Sequence, residues 1–281
     1  MAGWFAAMMM MIVAGRTALA ELTPFGVMEL RSLIGLVLFY PLVLRHGGLR
    51  SMVTGRPLLQ VGRNVAHYTG QYLWFLALSM IPVAQVVSIE FTMPIWTAIL
   101  ASVFLGERIT ARTGLAIALG LIGVVVIVRP GVSAASAGQL AMLFAAAAFA
   151  VSIVTMKSLT RSDSTVVIIF WMLVIQSLLG IVPALHAWRW PSAELWPWIL
   201  VLAFAGTFSH YCLTNAMRHA ETTIVVPMDF LRVPLSAAVG WLVYAERLDL
   251  VTLLGAAVIL GGNLLNLSGR RPEPSVVPAL D

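Results

Sequence analysis

Two acids lie inside apolar runs of this chain at matching places, Glu90 within VVSIEF (86–91) and Asp229 within VVPMDF (225–230). A carboxylate in a membrane span costs roughly 2.5–3.5 kcal/mol on insertion scales, so it is rarely idle. Such an acid can bind an amine, exchange a proton or pair with a cation. Arg232 stands three residues after Asp229, near enough on one helix face for a local pair. Glu29, Arg31 and Arg16 are the other ionisable side chains inside apolar runs. Glu29 and Arg31 are two apart and point in different directions, so each needs a partner on another helix. Arg16 is about one turn from the end of its run and is expected to snorkel to the headgroups.

A polar stripe adds to these charges. Asn64, His67 and Gln71 are spaced three and four apart, which stacks them on one helix face, with Tyr68 and Tyr72 beside them. Thr207, His210 and Thr214 repeat the spacing, flanked by Tyr211 and Asn215. Interhelical hydrogen bonding, worth ~0.6–2 kcal/mol each, explains any one of these residues as well as ligand contact does. Taken together, the facing stripes read as walls of a wet cavity. Trp96 and Trp171, with Tyr72 and Tyr211, are candidates to stack on a substrate or gate it. Pro94 and Pro234 follow the acids by a few residues, and each frees a backbone carbonyl and can kink its helix.

These residues need long apolar elements to hold them. Sixty per cent of the chain is hydrophobic and a tenth is charged, which excludes a soluble globule with a polar skin. Its apolar runs reach the ~20 residues of a spanning helix. The single Cys212 excludes an intrachain disulfide framework and a cysteine-rich metal site. The net charge of +5 is scattered between apolar runs, so it reads as membrane orientation rather than nucleic-acid binding. No basic segment precedes the first apolar run, which is therefore read as a retained span. No phosphate loop, HExxH or GxSxG on a strand-turn-helix is present, and no cofactor or metal site is expected.

Charged or Pro/Gly-bearing joints divide the chain into ten predicted spans: 3–20, 23–44, 64–80, 83–104, 112–129, 136–157, 165–187, 197–217, 222–244 and 250–268. The tail 269–281 is polar and Pro-rich, and is expected to be a disordered cytoplasmic end. With both termini inside, the inner loops hold Arg45, Arg50, Arg56, Arg63, Arg108, Arg112, Lys157, Arg161, Arg218, Arg270 and Arg271. The outer loops hold only Arg129, Arg189 and Arg247, a strong positive-inside bias. Trp188, Trp190, Trp196 and Trp198 cluster near an outer loop as an interfacial belt. The 139-residue offset between the two acids also matches Tyr72 with Tyr211, Ala77 with Ala216 and Gly123 with Gly262. A Glu-Arg pair follows each motif Phe by sixteen positions, at Glu107 and Glu246. Five spans per half is odd, so the halves must be inverted. Glu90 and Asp229 then lie on the order of 10 Å deep from opposite faces of a core about 30 Å thick.

The chain resembles an EamA-type permease of the drug/metabolite transporter superfamily. The marks are Pro24 followed by Arg31, the stretch ALSMIPVAQVVSIEFTMPIWTAILASVFLGERIT at 77–110 and GLIGVVVIVRPG at 120–131. The second half repeats them as NAMRHAETTIVVPMDFLRVPLSAAVGWLVYAERLDLVTLLGAAVILGG at 215–262. The resemblance implies an all-α polytopic membrane protein of ten transmembrane helices. Two inverted five-helix repeats, 3–129 and 136–268, would enclose a cavity that opens alternately to each side of a bacterial inner membrane.

The expected function is secondary transport of a small polar or zwitterionic metabolite, amino acids first, by a monomer or homodimer. Arg31 or Arg232 would take a carboxylate and Glu90 or Asp229 an amine. Burial favours the neutral form of a carboxyl, so Glu90 could exchange a proton and couple flux to the proton gradient. An organic-cation carrier with Glu90 as a fixed anion facing aromatic walls is the second reading. A membrane-embedded enzyme using His67, His210 and the acids is a distant third, and a structural subunit without transport a fourth. If coupling runs through Glu90, Glu90→Gln in proteoliposomes will transport with an altered pH dependence.

Overall fold

The computed structural model describes residues 2–93, 95–97, 99–100, 111–128, 136–219, 232–246 and 249–268. Asp229, Pro94 and the tail 269–281 lie outside these residues. All regular structure among them is helical. In chain order it runs α1 (Ala2–Leu19), α2 (Pro24–Arg45), a 3₁₀ turn (Leu49–Ser51), α3 (Pro57–Met80), α4 (Val83–Glu90) and α5 (Ala111–Val128). Then follow α6 (Ala137–Leu159), α7 (Thr165–His186), α8 (Trp196–His219), α9 (Arg232–Tyr244) and α10 (Leu250–Ser268).

Local signals explain several starts. Thr23 caps α2 by accepting from Gly26 N at 3.3 Å, with Pro24 in the first turn, where its missing N–H costs nothing. Ser136 and Gln139 form a reciprocal capping box on α6, and Ser164 caps α7. By length and composition, α2, α6, α7 and the Trp196–Ala216 part of α8 are apolar enough to cross a membrane. Shorter apolar stretches occupy Gly3–Leu19, Gly114–Ile127 and Leu250–Leu265.

Two boundaries differ from the pattern. Helix α3 begins at Pro57, seven residues before the predicted 64, because Gln60, Arg63 and Asn64 are buried and bonded inside the bundle although polar. Arg63, counted above as an inner-loop charge, is 1% exposed. Helix α4 stops at Glu90, well short of 104, and a turn at Phe91–Thr92 follows before helix resumes at 93. Proline at 94 has no N–H to give the carbonyl of residue 90, so an uninterrupted helix is disfavoured there. Ile95 N bonds Thr92 O at 2.9 Å, and the carbonyl of Phe91 accepts instead from Asn263 Nδ2 of α10 at 2.7 Å.

The helices exchange neighbours between the two halves of the chain. Helix α1 packs on α8, α3 on α6, α2 on both α7 and α8, α4 on α9 and α6, and α5 on α10. Polarity is distributed inside out. Val37, Leu178, Val182, Leu185, Trp241 and Leu242 are exposed, whereas Arg31, Arg63 and Arg232 are among the largest fully buried side chains. An apolar exterior around a charged interior suits lipid rather than water as solvent.

Arg16 does not snorkel. It pairs with Glu246 and lies 4.6 Å from the centre of the Tyr244 ring. Glu246 Oε2 also accepts from Val83 N at 2.9 Å, tying α1, the start of α4 and the end of α9 together. The positive φ of 52° at Ala245 turns the chain so that Glu246 N reaches Gly240 O at 3.0 Å. A side chain on Gly240 would meet the Glu246 carboxylate at 2.6 Å. Glu246→Ala should lower the melting temperature in detergent, by a loss of about 1–3 kcal/mol for a charge-assisted partner. Glu246→Gln, which can still accept from Val83, should lose less by the same scanning fluorimetry.

Candidate functional site

The end of α4 delivers Glu90 into the bundle. Its Oε1 accepts from Arg232 Nη1 at 3.0 Å and its Oε2 from Trp74 Nε1 of α3 at 3.1 Å. Glu90 is 7% and Arg232 2% exposed, so the pair is shielded from solvent. The Arg232 guanidinium also faces the rings of Phe91 at 5.1 Å and Trp4 at 5.7 Å. Thus the acid of one half is matched by the arginine that opens α9 in the other. Shielding makes removal of one partner far more costly than replacing both.

A second polar centre lies between α2, α3 and α7. Arg31 Nη2 donates to Gln71 Oε1 and to Gln176 Oε1, each at 2.9 Å. The expectation that Arg31 needs partners on other helices is met by two amides. Its Nε and Nη1 have no hydrogen-bond partner among the described residues. Glu29 is 2% exposed, and neither of its oxygens has a hydrogen-bond partner among them either. Its Oε2 and the Tyr68 hydroxyl both lie within 3 Å of the point that a side chain on Gly180 would occupy.

The polar stripes meet rather than face across a gap at one point. His67 Nε2 and His210 Nε2 are 3.2 Å apart, with the rings edge to face at 4.7 Å, linking α3 to α8. One ring nitrogen must donate and the other accept, so the contact requires at least one neutral imidazole that accepts. Below it, Arg63 Nη1 donates to Asn64 Oδ1 at 3.0 Å, and Asn64 Nδ2 to Gln60 O at 2.8 Å. Asp163 Oδ2 accepts from Gln60 Nε2 at 2.9 Å and Thr54 Oγ1 at 2.6 Å. Thr214 and Arg63 both reach the sulfur of Met156.

The aromatic candidates separate. Tyr72 stacks on Phe25 at 4.4 Å between α3 and α2, and the buried Trp96 Nε1 has no partner among the described residues. Trp171 donates to Met52 O at 2.8 Å and packs in a cluster with Phe39, Val43 and Met172, away from Glu90. Tyr211 lines a groove of about 280 Å³ between α2 and α8 with Leu38, Phe39, Phe204 and Phe208. Asn215 is half-buried on α8.

Four buried partners, Trp74, Gln176, Arg63 and Asp163, and the half-buried Glu246 escape the sequence reading. Gln176 is the one polar residue in VVIIFWMLVIQ (166–176), the same signal that singles out Glu90. Gln60 and Arg63 extend the stripe of Asn64, His67 and Gln71 by one turn. Trp74 shows nothing in sequence to mark it.

Residues 3–129 and 136–268 each match the EamA-like transporter family, and the chain belongs to it. It is 32% identical over 237 residues to a riboflavin transporter of Brucella anthropi, covering 82% of this chain and 83% of that one. It is 26% identical to an S-adenosylmethionine uptake transporter of Rickettsia felis, with 87% and 83% covered. A pseudopaline exporter of Pseudomonas aeruginosa is 29% identical, with 87% and 86% covered. A crystal structure of a protein 18% identical superposes with TM-score 0.68 over 94% of each chain, a likeness of fold. The chain is therefore a multi-pass membrane protein and a small-molecule transporter of the drug/metabolite type, not an enzyme.

The Glu90–Arg232 pair yields a test. Glu90→Ala or Arg232→Ala should each destabilise by about 3–5 kcal/mol, since each leaves a buried charge unmatched. Removing both charges, with Glu90→Gln and Arg232→Gln together, should recover most of that loss in thermal melts.

Proposed function

We propose that this EamA-family chain is a secondary active transporter of a small zwitterionic metabolite, amino acids or related compounds, working by alternating access and coupled to protons. The observation that carries the reading is the buried Glu90–Arg232 pair. Charges in a low-dielectric bundle must be matched, and Glu90 and Arg232 match each other. A zwitterion can divide the pair without leaving a charge alone, its ammonium on Glu90 and its carboxylate on Arg232. One internal pair becomes two external ones. A simple organic cation would take Glu90 and leave Arg232 to find a new anion, so the geometry favours the zwitterion over that second reading.

The exchange of neighbours between halves supports the ten-span, inverted-repeat architecture, because α1 on α8 and α3 on α6 are the same contact under interchange of the repeats. With both termini in the cytoplasm, Arg16, Glu246 and Val83 close the outer ends of α1, α9 and α4, while His67 and His210 bridge the inner halves of α3 and α8. Arg31, with two nitrogens that have no hydrogen-bond partner among the described residues, is a second anchor for an anionic group. Asp229 is the equivalent acid of the other half. The break after Glu90 gives the site a joint about which α4 can bend. The relatives' names include riboflavin and S-adenosylmethionine, which sets the probe panel wider than amino acids.

The test is a thermal-shift screen of purified protein, followed by uptake into proteoliposomes. Amino acids, S-adenosylmethionine and riboflavin are the probes and quaternary ammonium compounds the competitors. Zwitterions should raise the melting temperature, and Arg232→Gln should weaken uptake roughly tenfold or more, as expected for a charged hydrogen bond worth about 1.5–3 kcal/mol. Strong inhibition by quaternary ammonium compounds, with Arg232→Gln unimpaired, favours the organic-cation reading.

A further inference from the structure

We propose that Glu29, not Glu90, is the proton-carrying group of this transporter, an assignment that rests on the transport reading above. The two acids differ in what surrounds them. Glu90 has an arginine on one oxygen and an indole N–H on the other. Glu29 is equally buried, yet neither oxygen receives a hydrogen bond among the described residues. An ionised carboxylate so placed is very costly, whereas a neutral carboxyl needs no counter-charge. In the proposal, Glu29 carries the proton in this conformation.

The surroundings suit a group that must load and unload. Gly180 of α7 leaves an opening against which the carboxyl lies, and a methyl group there would meet Oε2 at 2.4 Å. The Tyr68 hydroxyl borders the same opening and has no hydrogen-bond partner among the described residues. A phenol can accept from the carboxyl or donate to the carboxylate, so a small shift of α2 against α3 would serve either state. Ser177, one turn before Gly180, has a buried hydroxyl with no partner there. The charged and titratable groups facing this place are few. Arg31 is on the same helix and is turned to Gln71 and Gln176. Helix α3 brings Tyr68, Tyr72 and, toward Arg31, His67, and α8 brings His210 on the far side of Arg31. Helix α7 contributes the uncharged Gln176 and Ser177. The step is a proton exchange alone: the carboxyl O–H forms from water on one side of the membrane and breaks to water on the other.

A proton fits better than an alkali-metal ion. The carboxyl, one phenol and one serine offer few oxygens for a metal.

Infrared difference spectroscopy on the purified full-length protein, stepped across neutral pH, tests the assignment without any substrate. A protonated-carboxyl band should titrate in the wild type, vanish in Glu29→Gln and persist in Glu90→Gln. Tyr68→Phe and Gly180→Ala, which keep the acid, should retain the band and move its midpoint, which separates loss of the group from loss of the fold. In proteoliposomes with radiolabelled S-adenosylmethionine or amino acids, Glu29→Gln should keep exchange at equal pH but lose at least tenfold of the accumulation driven by a pH gradient. Failure of wild-type exchange would count against transport of these probes, while the infrared band decides Glu29 separately. A titrating band that survives Glu29→Gln, or accumulation that follows a sodium gradient instead, overturns the proposal.

Discussion

A charge inside an apolar helix bundle must find a partner there, because neither lipid nor distant water will solvate it. That constraint organises the interior. Arg232 is matched to Glu90, Arg31 is divided between two amides, Arg16 is drawn from its helix end to Glu246, and Asp163 gathers Gln60 and Thr54. Most of these pairings join helices distant in sequence, so they hold the bundle together as they satisfy it. Glu29 departs from the pattern among the described residues, and the proton proposed for it requires no other side chain.

The same rule applies to the backbone. Helix α4 breaks directly after its acid, and the carbonyl left over at Phe91 is taken by Asn263 rather than by water. A broken helix is tolerable within a membrane only where protein or a polar cavity supplies the missing partners. Here it places a charged side chain and a carbonyl freed from the helix on adjacent residues.

Much of this was legible before any coordinates. Apolar run lengths located the helices closely at α1, α2, α5, α7 and α10, because lipid demands nearly uniform apolarity over a fixed length. The isolated charges Glu29, Arg31, Glu90 and Arg232 stood out against that background, and all four are buried. The reading failed where polarity was taken as a sign of exposure. Gln60 and Arg63 were assigned to a loop, yet they belong to α3 and are sealed inside it. Spacing sends Arg16 to the headgroups, because its partner comes from the distant residue 246. Trp171, which donates to Met52 O, and Tyr211, in the groove between α2 and α8, are candidates by residue type alone.

Periodicity and composition determine which segments are helical and which side chains are too costly to face lipid, since both follow from local geometry and the solvent. Which charge meets which depends on how helices from the two halves come together, and no local pattern encodes that. Sequence spacing offered Asp229 as the partner of Arg232; packing of α9 on α4 added Glu90 at 3.0 Å. Spacing matches Glu90 with Asp229 and leaves Glu29 among the other ionisable side chains. Only the tertiary arrangement gives Glu90 an arginine and an indole and sets Glu29 beside Gly180 and a Tyr68 hydroxyl that has no hydrogen-bond partner among the described residues.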